Sequence, residues 1–243
     1  MISVLTTTYN RAEFLPNLLN SIYKSCVPVQ HIIVDNLSTD KTEEIVNQYR
    51  DKYELLYIRT KCTQTQGLNI ALSHAKFPWL GWINSDDYYT ENGLELLSKS
   101  IQYDPIVSYG GMLAIFKEEN NRVKYMPPHA LDFVFTKLHT GNRLFQPTVL
   151  IKKLFLEKLG GWDTRFEMAQ DYWLWAQAYM KNGRFVRIDK PIAKLIAHSG
   201  SLSVTKLASQ REERQQVINI LKKYVTRKGI RSTDGCTNMA FPE

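Results

Sequence analysis

The chain has 243 residues, 44% hydrophobic and 23% charged, a balance that supports an apolar core and excludes a disordered or fibrous protein. No uninterrupted apolar run approaches the ~20 residues of a membrane-spanning helix. The opening Met1-Ile2-Ser3-Val4-Leu5 is short and lacks the basic lead-in of a secretory leader, so a cytoplasmic location is expected. The formal charge of +7 suits a phosphorylated or anionic partner, and the absence of a recognition-helix signature or basic–aromatic interleaving argues against nucleic acid.

Taken in order, the elements alternate. Ile2 to Thr8 reads as a strand broken by Asn10 and Arg11. Leu15, Leu18, Leu19 and Ile22 recur at helical spacing, with Pro16 in a tolerant first turn. His31 to Asp35 is a second strand, and Ser38-Thr39-Asp40 is expected to cap a helix reaching about Arg50. Leu55 to Ile58 is a strand, Gly67 to Ala75 a helix, and Trp79 to Ile83 a fourth strand. Glu91 to Ser100 reads as helix and Val107 to Phe116 as strand. Lys152 to Leu159 is a helix stopped by Gly160-Gly161. Gln170 to Met180 is an aromatic-rich helix, Phe185 to Ile188 and Ala193 to Ala197 are two strands, and Lys206 to Val225 is a final helix before a polar tail. Such alternation implies parallel pairing, with ligands at the carboxyl ends of the strands. Thr8-Tyr9-Asn10, Asp35 and Asp86-Asp87 all fall at such ends. Cys26, Cys62 and Cys236 show no metal-type spacing and read as reduced structural thiols.

The chemistry concentrates at Ile83-Asn84-Ser85-Asp86-Asp87. Two adjacent carboxylates at the end of an apolar strand repel each other, and a divalent cation removes that repulsion. Oxygen ligands suit magnesium or manganese, and a metal at a strand end commonly holds a phosphate. That points to a nucleotide-diphosphate site; a capped turn before the Glu91 helix is the alternative.

Four ordered segments resemble the GT-A-fold glycosyltransferases of family 2. They are Val4 to Arg11, Ile33 to Asp40, the DXD-type Asn84-Ser85-Asp86-Asp87, and Gly160-Gly161-Trp162-Asp163 followed by Gln170 to Trp175. The resemblance runs from residue 2 to about residue 203. It implies an α/β, Rossmann-like domain with a central, mostly parallel sheet flanked by helices. Its donor half would be 1–100 and its acceptor half 101–205, with residues 206–243 as a basic C-terminal helix and tail.

The resemblance also implies roles. Asp87 would be the direct ligand of Mn2+ or Mg2+, with Asp86 toward the ribose or the metal's waters. Asp35 would accept from the base or ribose, unless it forms an Asx turn feeding Ser38. Thr7 and Tyr9 would line the base pocket, or serve as first-strand packing; Arg11 would reach a phosphate or stay solvated. Asn69, in Gln66-Gly67-Leu68-Asn69, would lie near the donor, as would Asn84. Uridine is the default base, with thymidine, guanosine and cytidine open, because the loop Lys61 to Gln66 lacks the acid often found there. His198 would ligate the metal or touch the diphosphate, or be a turn residue. Asp171 would be the general base of an inverting transfer, or a first-turn capping acid. Gln146, Trp162 and Gln170 would approach the acceptor, a saccharide or lipid-linked glycan. Peripheral membrane contact through the basic C-terminal helix is a further expectation. The alternatives are a sugar-nucleotide-binding protein without transferase activity and a sugar-1-phosphate nucleotidyltransferase. The latter needs a glycine-rich basic triphosphate loop that Thr6 to Asn10 does not provide.

Overall fold

Apolar, β-branched segments that can be buried on both faces build the centre of the molecule, a computed structural model that describes residues 1–201 and 205–228. In chain order these are β1 (Ile2–Thr8), α1 (Leu15–Tyr23), β2 (Val29–Asp35), α2 (Thr42–Asn47), β3 (Leu55–Arg59), α3 (Gln64–His74) and β4 (Trp79–Trp82). Then follow β5 (Tyr88–Tyr89), α4 (Gly93–Ser100), β6 (Val107–Phe116), β7 (Arg122–Met126) and α5 (Leu131–Lys137). The last elements are β8 (Val149–Lys152), α6 (Lys153–Lys158), α7 (Gln170–Met180), β9 (Phe185–Ala197) and α8 (Leu207–Lys228).

Among the described residues the strands form one sheet in the order β3-β2-β1-β4-β8-β6-β9-β5, with β7 paired to β6 beside this path. β3, β2, β1 and β4 are parallel, as the βα alternation requires. β8 runs antiparallel to both β4 and β6, so the expected parallel pairing changes direction there. β6 and β9 are parallel, while the two-residue β5 lies antiparallel on β9. That last pairing carries the chain just after Asp87 onto the end of β9.

Two apolar clusters cover the opposite faces, as the period of two dictates: Ile33 belongs to one while Ile32 and Val34 belong to the other. Leu15, Leu18, Leu94 and Leu97 of α1 and α4 fill the first. Leu68, Trp175, Val217 and Leu221 of α3, α7 and α8 fill the second. Val217 and Leu221 of α8 are fully buried in that second cluster. The tail from 231 lies outside the described residues.

Three expectations need correction. Thr63 and Gln66 form a reciprocal capping box, which starts α3 three residues before Gly67. Ser38 does not cap α2; its hydroxyl is given to Asp35, and Asp40 Oδ1 accepts from Thr42 N–H instead. Phe185 to Ala197 is one strand, interrupted in register opposite Gly110 and Gly111. A Cβ on Gly110 would lie 2.3 Å from Ile192 Cγ1, so only glycine accommodates the bulge.

A buried chain of hydrogen bonds crosses three parallel strands. Thr6 Oγ1 donates to Ile83 O (3.0 Å), leaving its lone pairs to His31 Nε2–H (3.1 Å); Tyr53 O–H then faces His31 Nδ1 (3.0 Å). Burial lowers the His31 pKa to about 3, so the ring is neutral.

Candidate active site

The carboxyl ends of β1 and β4, the end of β9 and the start of α7 open on one cavity of about 860 Å³. Of the residues singled out above, Thr7, Tyr9, Arg11, Asn84, Asp86, Asp87, Gln146, Gln170, Asp171 and His198 line it; Asp35, Asn69 and Trp162 do not.

The exclusion of Asp35 has a clear cause. Its Oδ1 accepts from Ser38 N–H (3.0 Å) and Ser38 O–H (2.5 Å), and its Oδ2 from Tyr57 O–H (2.6 Å). The carboxylate is fully buried and its capacity is spent inside the protein. Ser38 Oγ in turn accepts from Asn10 N–H, and Asn10 Oδ1 accepts from Thr39 N–H (both 2.8 Å). Asp35 thus holds the turn that presents Arg11, with Asn10 in the left-handed conformation that asparagine tolerates (φ +50°).

Beyond the carboxyl end of β4, Asp87 is 4% exposed and accepts from Ile196 N–H (3.1 Å). Burial, and then the charge of Asp86, push the Asp87 carboxyl well above the usual range. Asp86 Oδ2 lies 3.2 Å from His198 Nε2 and 3.8 Å from Arg11 Nε. Arg11 also donates to Gly200 O (3.3 Å), and the His198 ring stacks on Phe14 with centroids 4.6 Å apart. Asp86 therefore faces Arg11 and His198, while Asp87 has the Ile196 N–H and a side-chain hydrogen bond with Asn84 and no cation beside it among the described residues. Among the described residues no three His, Cys, Asp or Glu side chains form a group that could hold a metal ion. The donor set still fits magnesium or manganese, which prefer one or two carboxylates plus substrate phosphates over an all-protein cage.

Asn84 bridges the floor: its Nδ2 donates to Gln146 Oε1 (3.0 Å) and its Oδ1 accepts from Gln64 Nε2 (3.2 Å). Gln146 Nε2 donates to Trp82 O (2.6 Å), fixing the side chain that faces the cavity.

Across the cavity, Asp171 stands in the first turn of α7. Its Oδ2 accepts from Asn142 Nδ2 (2.7 Å) and its Oδ1 from Tyr172 N–H (2.6 Å). Burial raises its pKa, against the hydrogen bonds and the Arg214 charge that lower it. The net effect is a carboxylate more basic than a free one.

Asn69 and Trp162 are tied to each other rather than to a ligand. Asn69 Nδ2 donates to Trp162 O (2.8 Å), and Asn69 Oδ1 accepts from Trp162 N–H (2.7 Å). The Trp162 ring is 3% exposed and packs edge-on against Trp82 at 5.5 Å. The pair instead locks the Gly160-Gly161 turn onto α3. Gly161 (φ +89°) has no room for a Cβ, which would meet Asn69 Oδ1 at 2.4 Å. Trp175 is core, as its helical position suggests, while Trp173 Nε1 donates to Asp163 Oδ2 (3.2 Å).

Among the lining residues that sequence reasoning missed are Glu167, Gln210 and Arg214. Glu167 accepts from Thr63 O–H (2.6 Å) and Thr65 N–H (3.1 Å), joining the loop before α7 to α3. No local signal marks that long-range link. Gln210 and Arg214 project from α8 into the cavity. Their signal was present: 210, 214, 217 and 221 share one helical stripe that is polar at its start and apolar beyond. Between them Glu213 Oε2 accepts from Met168 N–H (2.7 Å) and Ala169 N–H (2.9 Å), clamping α8 to the start of α7.

The sequence profile described as glycosyl transferase family 2 matches residues 3–158, and the chain belongs to that family. An uncharacterized glycosyltransferase of Rickettsia typhi is 26% identical over 187 residues, 72% of this chain and 57% of the relative. The poly(ribitol-phosphate) β-N-acetylglucosaminyltransferase TarS of Staphylococcus aureus is 34% identical over 100 residues, 38% of this chain and 17% of TarS. The chain thus spans little more than half of the first relative and under a fifth of the second. The crystal structure of TarS 1-349 with UDP-GlcNAc superposes with a TM-score of 0.74 at 20% identity, over 95% of this chain and 68% of that one. The mannosyltransferase PcManGT of Pyrobaculum calidifontis, with GDP-Man and Mn2+, gives 0.65 at 18% identity, over 91% and 64%. At those identities the likeness shows the fold, a GT-A α/β domain.

Proposed function

We propose that this glycosyltransferase is an inverting, metal-dependent enzyme that moves a sugar from a nucleotide-diphosphate donor to a hydroxyl of a saccharide or lipid-linked acceptor. The observation that carries this reading is the placement of the Asp86–Asp87–His198–Arg11 cluster and of Asp171 on one cavity. Thr7 and Tyr9 line the same cavity at the end of β1, where a base would lie. The donors in the neighbouring structures, UDP-GlcNAc and GDP-Man, support a nucleotide sugar, with uridine the first choice.

Asp87, with Asp86 beside it, would hold a Mn2+ or Mg2+ ion, which supplies positive charge to the leaving diphosphate. Arg11 and His198 stand ready to take diphosphate oxygens in exchange for Asp86. Asp171 accepts the acceptor hydroxyl proton as the oxygen–anomeric carbon bond forms. The bond from the anomeric carbon to the diphosphate oxygen breaks in the same displacement, and nucleoside diphosphate leaves. One such displacement inverts the anomeric centre. TarS and a putative teichuronic acid glycosyltransferase of Bacillus subtilis among the relatives support a role in surface polysaccharide synthesis. No helix among the described residues is long and apolar enough to cross a membrane. The exposed basic side chains of α8 suit contact with an anionic membrane face.

The test is a thermal-unfolding panel of nucleoside diphosphates and nucleotide sugars with and without manganese. A manganese-dependent rise with one base supports the donor site and names the base, since ligand binding to the native state raises its stability. The same rise in Asp87→Ala, or no rise with any nucleotide in the wild type, refutes the reading.

A further inference from the structure

Among the described residues, each charged side chain on the cavity wall has a hydrogen-bond or ion-pair partner, with one exception. Arg11 and His198 face Asp86, Asp87 accepts from Ile196, Glu167 from Thr63 and Thr65, and Asp171 from Asn142 and Tyr172. Arg214 lines the cavity and makes no hydrogen bond or salt bridge to any described residue. It is half-buried, so its charge is only partly solvated. The obvious local counter-ion, Glu213, is committed to Met168 and Ala169 N–H.

The fold holds this guanidinium in place. Val217 and Leu221, on the same stripe of α8, are fully buried, and Tyr224 O–H donates to Met180 O (2.9 Å) at the far end of α7. The helix cannot rotate Arg214 away without exposing that core. A second cation lies close by. The charges of Arg143 and Arg214 both act on Tyr172, next to Asp171 in the first turn of α7. Arg143 keeps its Nε buried without a partner while Nη2 donates to Thr140 Oγ1 (2.8 Å). A guanidinium beside the base lowers the base's pKa, which works against proton abstraction; such a group is explained by something else it must bind. The donor's diphosphate has its own partners in the proposed reading, the Arg11 guanidinium and the His198 ring beside Asp86.

We propose that Arg214, with Gln210 one turn before it, is an acceptor-specificity subsite for an oxyanion carried next to the hydroxyl that Asp171 deprotonates. The acceptor is then an anionic saccharide or polyol polymer, bearing a phosphodiester or a carboxylate, whose oxygens meet the planar guanidinium in a forked contact. This rests on the transferase reading, and it goes further by giving the acceptor a charge.

The experiment saturates the chain with nucleoside diphosphate and manganese, then titrates glycerol phosphate, glucuronate and uncharged glucose, following binding by calorimetry. At least one anion binds about tenfold or more tighter than glucose, and the stronger of the two names the acceptor chemistry. Arg214→Gln brings that ratio within about twofold, while Arg214→Lys, which keeps the charge, retains a measurable preference. A preference that survives Arg214→Gln, or a wild type indifferent to charge, overturns the proposal. A loss of nucleoside diphosphate affinity in Arg214→Gln as large as the loss of anion affinity also overturns it, by moving Arg214 to the donor. The two failures are distinguishable. Nucleotide binding without anion preference leaves the transferase and removes the subsite; no nucleotide binding removes the transferase and, with it, the acceptor role of Arg214.

Discussion

The buried carboxylates Asp87 and Asp171 differ in how the protein holds them, and that difference makes the proposed chemistry testable residue by residue. Asp171 is buried enough to become a stronger base, yet two hydrogen bonds keep it oriented. Replacing it with Asn keeps the shape and removes the basic site. Asp171→Asn is expected to lower turnover by roughly 10²–10⁴-fold, the usual contribution of a positioned base, and to leave nucleoside diphosphate affinity unchanged. Wild-type activity should climb with pH as Asp171 loses its proton, with the midpoint above the ordinary aspartate range; the variant should lose that limb. Full transfer by Asp171→Asn, measured with a saturating acceptor, sinks the assignment. That Asp86, Asp87 and Asp171 gather on one cavity was legible in the sequence because short polar motifs followed apolar runs in a fixed order. Asp35 and Asn69 were misplaced for the opposite reason. Their partners, Tyr57 and the Trp162 backbone, come from elements that no local pattern joins to them.

At the scale of elements, α8 shows how a surface-looking helix becomes part of a site. Its composition reads as a solvated basic face, because most of its charges are outside and only Val217 and Leu221 are buried. Glu213 joins it to α7 by accepting from two N–H groups that precede the helix and have no intrahelical partner. Glu213→Ala should destabilise the fold by about 2 kcal/mol, the scale of stranding partly buried donors of a charge-assisted contact. Acceptor KM should rise more than donor KM, because Arg214 is the next residue. Unchanged urea unfolding would show that the clamp contributes nothing. Helices with a self-contained stripe, such as α1 and α7, and strands with a continuous apolar run, such as β1 and β6, were readable in advance. β7 was not, because Arg122 to Tyr125 lie exposed at the edge and carry no buried face. β5 is too short to signal itself.

At the scale of the whole molecule, the sheet hides an acid-sensitive group. His31 is neutral in the folded state with its pKa lowered to about 3, against 6.5 for the free side chain. Below pH 6.5 the unfolded chain binds a proton that the folded chain refuses, so stability contributed by this group falls as pH drops from 6.5 toward 3. At pH 5 the loss is about 2 kcal/mol relative to neutral pH. Asp87 and Asp171 push the other way: their raised pKa values favour folding at low pH and lose that contribution as they ionise. The clean measurement is therefore the difference in the acid limb between wild type and His31→Gln, by chemical denaturation at several pH values. Parallel limbs would show that His31 is not held neutral.

The partner of Asp87 adds a consequence in time. Its carboxylate is held by Ile196, 109 positions later in the chain, and Arg214 enters later still. At about 5–20 residues per second of synthesis, roughly 5–20 s separate the emergence of the carboxylate from that of the backbone group that fixes it. A nascent chain therefore carries the whole opening strand set long before the cavity wall can be assembled. Among the described elements, the helix that brings Gln210 and Arg214 to that wall is made last.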